Sequence, residues 1–554
     1  MKKLFIIAVI FLAIPTILPL FHQGLFPVHD DTQVARVLTM GKALKDGLLP
    51  VRWVDFLGYN FGYPIFNFYA PLAYYIGGFF TLFGFSALVS TKIMMGLGMM
   101  LAGTGMYLLA SSIFGKKAGF LSAVLYLYAP YHAVDLYVRG AVGELFAYAF
   151  LPLPFWGLWG LYKTQKFRYA IVTSVSLAAI IISHNLTAMM LLPFILFVMG
   201  LLSVISWRKK EYFTVYLFII SLAISFLLSS FYTIPAIFEL QYTNVLSILG
   251  GGSNPVDHFV CPIQLWQGIW GYGGSIPGCL DGMSFMLGKI HVLFVLMGFI
   301  TLGYLFFKKR YQKFFILLSC FILLIVSLFM TQGISRPIWE SIPLLSYVQF
   351  PWRYLSFAAL GTSLIAGGVI AAFNQEKSRI SLLLVILTVF TAIFYYGKYF
   401  KPQYYKEDIA KYSATSQIVW DISKISDEYM PQNFLTPKSY QKVPKALVEA
   451  VTGEISIQTL DEKTQIKKAS LYSSGGKVRL SIAYFPAWQI KIDDNLIKPQ
   501  ITNGFYEFPL TGGQHIIQAT FKETPLEVIS NILTLIGFSL LIIGIIKTSK
   551  IKLL

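Results

Sequence analysis

The sequence predicts a polytopic α-helical membrane protein with about 12 to 13 transmembrane helices and a small C-terminal domain outside the membrane. Of its 554 residues, 56% are hydrophobic and only 13% are charged, whereas about a quarter of the residues in a soluble domain are charged. Apolar runs of about 18 to 24 residues, long enough to cross hydrocarbon as helices, recur from Leu4 to Phe400 and once more after Pro525. These runs argue against a soluble globular protein.

The excess of basic residues is a topology signal rather than a nucleic-acid surface. The chain has 44 Lys and Arg against 26 Asp and Glu, a formal charge of +18. Clusters of basic residues lie in short loops between apolar runs, which is typical of cytoplasmic loops. We therefore expect a lipid bilayer and no nucleic acid as partner. The basic loops lie at residues 116–117, 163–168, 207–210, 308–313, 377–379 and 547–552.

One apolar run cannot cross the membrane if every basic loop is to be cytoplasmic. Between His29 and Lys163, four runs would have to connect an outer loop to an inner one. Residues 67–84 contain Pro71, a Gly77-Gly78 pair and several aromatic residues, which favours an interfacial or re-entrant helix. The other runs then place both termini in the cytoplasm. They lie near residues 4–21, 90–114, 118–134, 142–162, 168–184, 186–206, 213–236, 290–307, 313–331, 354–373, 379–397 and 526–546.

The C-terminal part of the chain contains the one long hydrophilic segment. Its second half, at about 450–525, alternates apolar and polar residues as strands do, with turn residues between them, and predicts a small β-sandwich in an α/β segment. Gly475-Gly476, Asp493-Asp494-Asn495 and Gly512-Gly513 are the predicted turns. We expect a membrane domain at residues 1–397 with outer loops at 22–89 and 237–289, an extracytoplasmic domain at 398–525, and a final transmembrane helix with a basic cytoplasmic tail at 526–554.

The three cysteines exclude a disulfide framework and a cysteine-rich metal site. Cys320 lies inside an apolar run, where a small buried residue is expected. Cys261 and Cys279 share one polar loop, so a disulfide is conceivable if that loop faces an oxidising compartment. The sequence leaves open whether it forms.

This topology places the polar side chains that could carry chemistry at one face of the bilayer, while the spans carry almost no charge at mid-depth. His29, Asp30 and Asp31 follow the first span. Two adjacent carboxylates beside an imidazole suit a general base or a hard-cation ligand next to a lipid-borne substrate. Either aspartate could instead cap the helix that follows. The other candidates at this face are Arg52, Asp135, Arg139, Glu144, His184, Asn185, Trp270 and Arg353.

The order of these features resembles the GT-C superfamily of integral membrane glycosyltransferases: a first span, an acidic motif, an amphipathic helix, many further spans and an outer domain. Several segments also resemble a bacterial family labelled "6-pyruvoyl-tetrahydropterin synthase-related membrane protein". They are PVRW at 50–53, GYPIFNFYAPL at 62–72, SHN at 183–185, WGYGGS at 270–275, QFPWR at 349–353 and DEYMP at 427–431. The synthase of that label needs three histidines on one zinc ion, and after Phe400 the chain has only His515, so we do not expect that activity.

The GT-C resemblance implies a catalytic base or metal-proximal acid at Asp30 or Asp31, and a second acid at Glu144 or Asp135. It also implies a polyprenyl-phosphate sugar donor and a glycan, lipid or protein acceptor. Some branches of the superfamily use a divalent cation such as Mg²⁺ or Mn²⁺ and others do not, so a metal ion on Asp30 and Asp31 stays open.

Substrate-binding roles have plain structural alternatives. Arg353, Arg139 and Arg52 could each hold two phosphate oxygens, or extend to lipid headgroups. His184 could reach the cavity of Asp30 and assist phosphate or proton handling, whereas Asn185 could serve only the turn. Trp270 suits a sugar ring and equally an interfacial aromatic belt.

The leading hypothesis is an inverting glycosyltransferase in the bacterial inner membrane. A transporter or flippase for lipid-linked or polysaccharide precursors is an alternative, although ionisable mid-membrane residues and repeated halves would then be expected. A non-catalytic envelope assembly protein that works through its β-sandwich is the third possibility.

Overall fold

The structure is a computed structural model that describes residues 2–245, 254–373, 379–406 and 416–550. Within these ranges ten helices are long and apolar enough to cross a membrane. The predicted architecture of many apolar helices followed by a C-terminal strand domain is therefore confirmed. The ten segments are Lys3–Phe21, Ala87–Phe114, Val142–Thr164, Asn185–Arg208, Tyr212–Phe238, Lys289–Phe307, Tyr311–Thr331, Pro351–Ala372, Ser381–Tyr399 and Pro525–Ile546.

The helices, in chain order, are α1 (Lys2–Ile17), α2 (Gln33–Lys45), α3 (Ile65–Phe68), α4 (Leu72–Leu82), α5 (Ala87–Phe114), α6 (Lys116–Leu127), α7 (Pro130–Val134), α8 (Val142–Phe150), α9 (Pro152–Thr164), α10 (Phe167–Ser183), α11 (Asn185–Arg208), α12 (Tyr212–Phe238), α13 (Pro262–Trp266), α14 (Lys289–Phe307), α15 (Tyr311–Thr331), α16 (Arg336–Ser341), α17 (Leu355–Phe373), α18 (Arg379–Tyr396), α19 (Ser416–Ile425) and α20 (Pro525–Lys550).

Two spans expected from hydropathy are shorter in the structure. The run at 118–134 is interrupted, because α6 ends at Leu127 and α7 begins at Pro130, a residue that cannot donate a hydrogen bond within a helix. A five-residue π-helical turn, Asp135–Arg139, follows. The run at 168–184 forms α10, which has 17 residues, near the lower limit for crossing hydrocarbon.

The apolar run at 67–84 forms a short helix beside α2. Helix α4 has 11 residues and is about 16 Å long, roughly half the thickness of the hydrocarbon core. Two glycines let it approach α2 closely. A Cβ atom on Gly77 would lie 2.6 Å from Val37, and one on Gly78 would lie 2.6 Å from Met40.

Helix α17 lies at the centre of the helical domain, where it is almost entirely buried. Small residues allow neighbouring helices to approach it. A Cβ atom on Gly361 would lie 3.2 Å from Leu324 of α15, and one on Gly367 would lie 2.3 Å from Ser122 of α6. This packing places the start of α17, and with it Arg353, against the helices that precede it in the chain.

The C-terminal strands form one seven-stranded antiparallel sheet in the part of the chain that the structure describes, instead of the two packed sheets of a sandwich. The strand order is β1-β3-β7-β4-β5, with β2 paired to β3 and β6 to β7. The strands are β1 (Val448–Thr452), β2 (Ile455–Lys463), β3 (Ile466–Ala483), β4 (Trp488–Ile492), β5 (Asn495–Ile497), β6 (Gln500–Thr502) and β7 (Phe505–Phe521).

Two predicted turns lie inside strands. Gly475-Gly476 falls within β3 and Gly512-Gly513 within β7, and these long strands pair through this region. The glycines serve as bends, since Gly475, Gly476 and Gly513 have positive φ angles of 92°, 144° and 133°, which glycine adopts without steric cost. The turn at Asp493-Asp494 joins β4 to β5 as predicted.

The loop between α12 and α14 is closed by a disulfide. Cys261 and Cys279 are bonded, with their Cα atoms 5.7 Å apart. Cys320 is the free, buried cysteine, as its position in an apolar run predicted.

Candidate functional site

Backbone hydrogen bonds hold Asp30 at a defined point of the chain. The amides of His29 and Asp30 donate to the carbonyl oxygens of Val138 and Arg139, at 3.1 and 3.0 Å. The Asp30 side chain is half-buried. In the described part of the chain, no side-chain hydrogen bond or ion pair engages its carboxylate. Neither this residue nor Asp31 caps α2, whose N-cap is Thr32 without a side-chain bond.

Asp31 has a different environment from its neighbour. Its carboxylate forms an ion pair of 3.1 Å with Lys406. Burial raises the pKa of Asp31, although Lys406 acts in the opposite direction. Of the two adjacent acids, Asp30 is therefore the one whose oxygens can approach a ligand.

A buried cluster of acids around one guanidinium lies beside Asp30. Nη1 of Arg139 donates to Asp135 at 2.7 Å and to Glu144 at 2.8 Å. The hydroxyl of Tyr131 donates to the other oxygen of Glu144 at 2.6 Å. Burial, reinforced by Glu144, raises the pKa of Asp135 despite the nearby Arg139. The cluster is therefore less negative than its composition suggests.

The π-helical turn and the glycine after it bring this cluster to Asp30. Asp135 and Arg139 are four residues apart within the turn and form an i,i+4 ion pair. Gly140 then has a φ of 62°, in the left-handed region. A Cβ atom there would lie 2.5 Å from Val28, so glycine permits the segment that carries Asp30 to approach.

Arg353 completes the cluster from the turn that precedes α17. Its Nη1 donates to the carbonyl of Val348 at 2.9 Å, and its Nε lies 3.7 Å from Glu144. This buried Nε makes no hydrogen bond to any described residue. The ring of Trp352 lies under the guanidinium of Arg139, 4.5 Å away. Asp30 interacts electrostatically with both arginines.

His184 joins the cluster, whereas Asn185 does not. Nδ1 of His184 accepts a hydrogen bond from the amide of Thr187 at 3.2 Å and so caps α11. Burial lowers the pKa of His184 to about 3 despite the nearby carboxylate of Glu144. The imidazole is thus neutral at physiological pH. Asn185 is exposed and bonds only the adjacent amide of Leu186 among the described residues.

The structure places Arg52 in a separate buried network. Its guanidinium contacts Glu523 at 3.0 Å, Asn67 at 2.9 Å and Asn531 at 2.7 Å. It also lies 3.8 Å from Glu527, at the start of α20. Arg52 therefore ties the first long loop to the final helix and is not part of the Asp30 cluster.

His29 and Trp270 lie at the disulfide-closed loop. His29 is exposed, and its Nε2 lies 3.0 Å from the carbonyl oxygen of Tyr272. Trp270 stacks on Tyr399 with ring centroids 4.5 Å apart. The loop thus covers the segment that carries Asp30, but no contact brings Trp270 to the carboxylates of the cluster in the described part of the chain.

Sequence reasoning missed a second group of residues next to Asp30. Arg36 is 4% exposed and its guanidinium lies 4.1 Å from the centre of the Tyr69 ring. Tyr69 and Glu428 both interact electrostatically with Asp30. One signal was available, because Arg36 is a charged residue among the apolar positions of an amphipathic helix.

The acids of the site do not fit a divalent cation. Asp31 is paired with Lys406, while Asp135 and Glu144 share Arg139. No group of three acid, histidine or cysteine side chains that could hold a metal occurs in the described ranges. We therefore assign no step to a metal ion.

Comparison with curated proteins found a relative that matches about half of this chain. This uncharacterized protein of Lactococcus lactis subsp. cremoris (strain MG1363) is 24% identical over 336 residues, or 58% of this chain and 53% of the relative. The chain thus spans about half the length of that relative.

Three solved structures show low overall similarity. The Archaeoglobus fulgidus oligosaccharyltransferase tethered to an acceptor peptide has a TM-score of 0.43 at 11% identity, over 81% of this chain and 61% of that one. The mycobacterial arabinofuranosyltransferase AftD has a TM-score of 0.43 at 13% identity, over 74% of this chain and 29% of that one. ArnT from Cupriavidus metallidurans, bound to undecaprenyl phosphate, has a TM-score of 0.37 at 12% identity, over 70% of this chain and 62% of that one.

A family model described as "6-pyruvoyl-tetrahydropterin synthase related domain; membrane protein" matches residues 66–399, more than half of the chain. The matched region includes Asp135, Arg139, Glu144 and Arg353 but begins after Asp30. This chain therefore belongs to the 6-pyruvoyl-tetrahydropterin synthase-related family of membrane proteins.

Proposed function

We propose that this protein is an inverting glycosyltransferase that moves a sugar from a polyprenyl-phosphate donor to an acceptor hydroxyl. One observation carries the proposal: the half-buried carboxylate of Asp30, which no described side chain pairs, interacts electrostatically with the guanidinium groups of Arg139 and Arg353, and its backbone amide bonds the carbonyl of Arg139. A base and an anion-binding group in one site are what such a transfer needs. Proton abstraction and leaving-group stabilisation can then occur together.

In the proposed reaction, Asp30 takes the proton of the acceptor hydroxyl. The oxygen of that hydroxyl attacks the anomeric carbon of the donor sugar at the same time. The bond from that carbon to the phosphate oxygen breaks, and the polyprenyl phosphate leaves with the bonding electrons. Arg353, whose Nε–H makes no hydrogen bond to a described residue, donates to the developing phosphate charge, and Arg139 contributes its positive charge from the same cluster.

Glu144 and Asp135 are positioning residues in this mechanism. Both accept hydrogen bonds from Arg139, and Glu144 also lies near Arg353. Neutral His184 adds no charge to the site.

The site faces the extracytoplasmic side in this proposal, with both termini in the cytoplasm of a bacterial cell. The basic loops that follow α5, α9, α11 and α14 support this orientation. The disulfide between Cys261 and Cys279 supports it as well, because such bonds persist in oxidising compartments. A lipid-linked donor would then meet Asp30 at the outer leaflet.

The test uses the full chain in nanodiscs with undecaprenyl-phosphate-linked glucose, galactose, mannose and N-acetylglucosamine, and membrane extract as the acceptor source. Release of undecaprenyl phosphate is followed by mass spectrometry. Asp30→Asn should lower the release rate at least about 100-fold, since general bases contribute that much. Asp31→Asn is the matched control, because its carboxylate is paired with Lys406, and it should retain most of the rate.

Two results would contradict the proposal. One is a wild-type rate in Asp30→Asn protein that unfolds at the wild-type temperature. The other is accumulation of labelled lipid-linked sugar in sealed vesicles without transfer, which would indicate a transporter.

A further inference from the structure

We propose that Arg36, Tyr69 and Glu428 form a carbohydrate subsite that holds the acceptor hydroxyl next to Asp30. This inference rests on the proposed function and names the acceptor class. The three residues come from α2, from the turn between α3 and α4, and from the segment after α19. They share no hydrogen bond with the cluster around Arg139 in the described part of the chain.

Hydrogen bonds hold the segment that carries Glu428 against α2 and the first long loop. Nη2 of Arg36 donates to the hydroxyl of Ser426 at 2.8 Å. The amide of Tyr59 donates to Ser423 at 2.8 Å, and its hydroxyl donates to Asp427 at 2.8 Å. Glu428 is therefore placed by the residues that precede it rather than by a bond of its own carboxylate.

Arg36 and Glu428 each keep a polar group available. Nη1 and Nη2 of Arg36 donate to Tyr74 and Ser426, but its buried Nε–H has no partner among the described residues. An unsatisfied buried donor is costly. Such a cost is accepted where a ligand completes the site. No hydrogen bond from another described residue reaches the half-buried carboxyl of Glu428, so its oxygens can accept hydrogen bonds from a ligand.

Aromatic rings complete the subsite. The ring of Tyr69 lies edge-to-face with that of Tyr429, at 6.5 Å and 80°. Tyr429 in turn stacks on Phe68 at 5.8 Å and 11°. Both tyrosines are half-buried, so part of each ring is accessible.

This combination selects a neutral polyhydroxyl ligand. The carboxyl of Glu428 interacts electrostatically with Arg36, which disfavours a second phosphate there. A guanidinium N–H and a carboxyl group together match neighbouring sugar hydroxyls, while an aromatic ring suits the apolar face of a sugar. Because Asp30 interacts electrostatically with both Tyr69 and Glu428, a sugar bound here would lie close to the base.

The test measures sugar binding to the full chain in nanodiscs by saturation-transfer NMR, with glucose, galactose, mannose, rhamnose and N-acetylglucosamine as probes. At least one sugar should give a signal on the wild type. Tyr69→Leu and Glu428→Gln should each weaken its affinity about tenfold, whereas Tyr69→Phe should preserve it. Glu454→Gln is the matched control, because this carboxyl is exposed in the same domain.

Binding of undecaprenyl phosphate, measured in parallel, separates this proposal from the proposed function. The subsite variants should bind the lipid like the wild type, and Arg353→Ala should bind it more weakly. A sugar signal without lipid binding would contradict the proposed function alone. The subsite is overturned if no sugar binds, if only a serine- and threonine-containing peptide binds, or if folded Tyr69→Leu and Glu428→Gln proteins bind sugar like the wild type.

Discussion

The amide of Asp30 donates a 3.0 Å hydrogen bond to the carbonyl oxygen of Arg139. One backbone contact therefore sets the distance between the candidate base and the guanidinium that organises the acids beside it. The bond joins the segment after α1 to the π-helical turn before α8. Residues more than one hundred positions apart thus meet at one site.

Gly140→Ala should disrupt this contact. The added Cβ atom would lie 2.5 Å from Val28, and the φ of 62° costs a non-glycine residue about 1 to 2 kcal/mol. We expect the release of undecaprenyl phosphate to fall sharply while the protein remains folded. Gly200→Ala is the control, because no atom lies within 4 Å of its Cβ position. Equal rates of undecaprenyl phosphate release by Gly140→Ala and Gly200→Ala would contradict a role in transfer for the hydrogen bond between Asp30 and Arg139.

Arg52→Met should destabilise the protein without weakening binding of undecaprenyl phosphate. Removing this buried guanidinium leaves Glu523 and Glu527 without their ion-pair partner, and loss of one partner of a buried pair costs about 3 to 5 kcal/mol. Thermal unfolding in nanodiscs measures the first effect and lipid titration the second. Arg336→Ala, in an exposed ion pair, should leave the unfolding temperature nearly unchanged. Weaker lipid binding by folded Arg52→Met protein would restore a substrate role for Arg52.

The unfolding temperature should fall as the pH rises from about 4.5 to 7, because of Glu239. Burial, reinforced by Glu527, raises the pKa of this carboxyl from 4.5 to about 7. The folded state thus favours the protonated, uncharged form of Glu239, which does not repel Glu527. Its stabilising contribution is complete below the unfolded value and is lost as the pH passes the folded value.

Glu239→Gln tests this dependence, since an amide cannot ionise. The variant should have a smaller slope than the wild type between pH 5 and 7.5 in thermal unfolding curves, whereas exposed Glu454→Gln should retain the wild-type slope. A slope unchanged by Glu239→Gln would assign the pH dependence to another group.

Replacing Cys261 and Cys279 by serine should lower stability by about 3 kcal/mol, the loop-closure contribution expected for this sequence separation of 18. The loop also contacts His29 through Tyr272, so we expect a lower transfer rate as well. Cys320→Ser is the matched control outside the disulfide. Alkylation of the unfolded, unreduced chain should label Cys320 alone, and labelling of all three cysteines would contradict the bond.

The structure brings some of the candidate residues together and leaves others apart, for identifiable reasons. Asp30, Glu144 and Arg353 are polar residues at the ends of apolar runs, so topology alone placed them at one face, where the structure brings them together. Arg52 matched the same pattern, but Glu523 and Asn531 occupy its guanidinium. That pairing joins residues more than 400 positions apart and leaves no local signature.

Hydropathy and turn chemistry act over at most a few tens of residues, so the amino-acid sequence alone establishes the apolar helices, the strand domain and the acid that follows the first helix. Tertiary packing decided which aspartate pairs with Lys406, because that lysine reaches Asp31 and not Asp30. It also decided that Glu428 interacts electrostatically with Asp30. Both outcomes depend on side chains that meet only after the C-terminal domain packs against the helices.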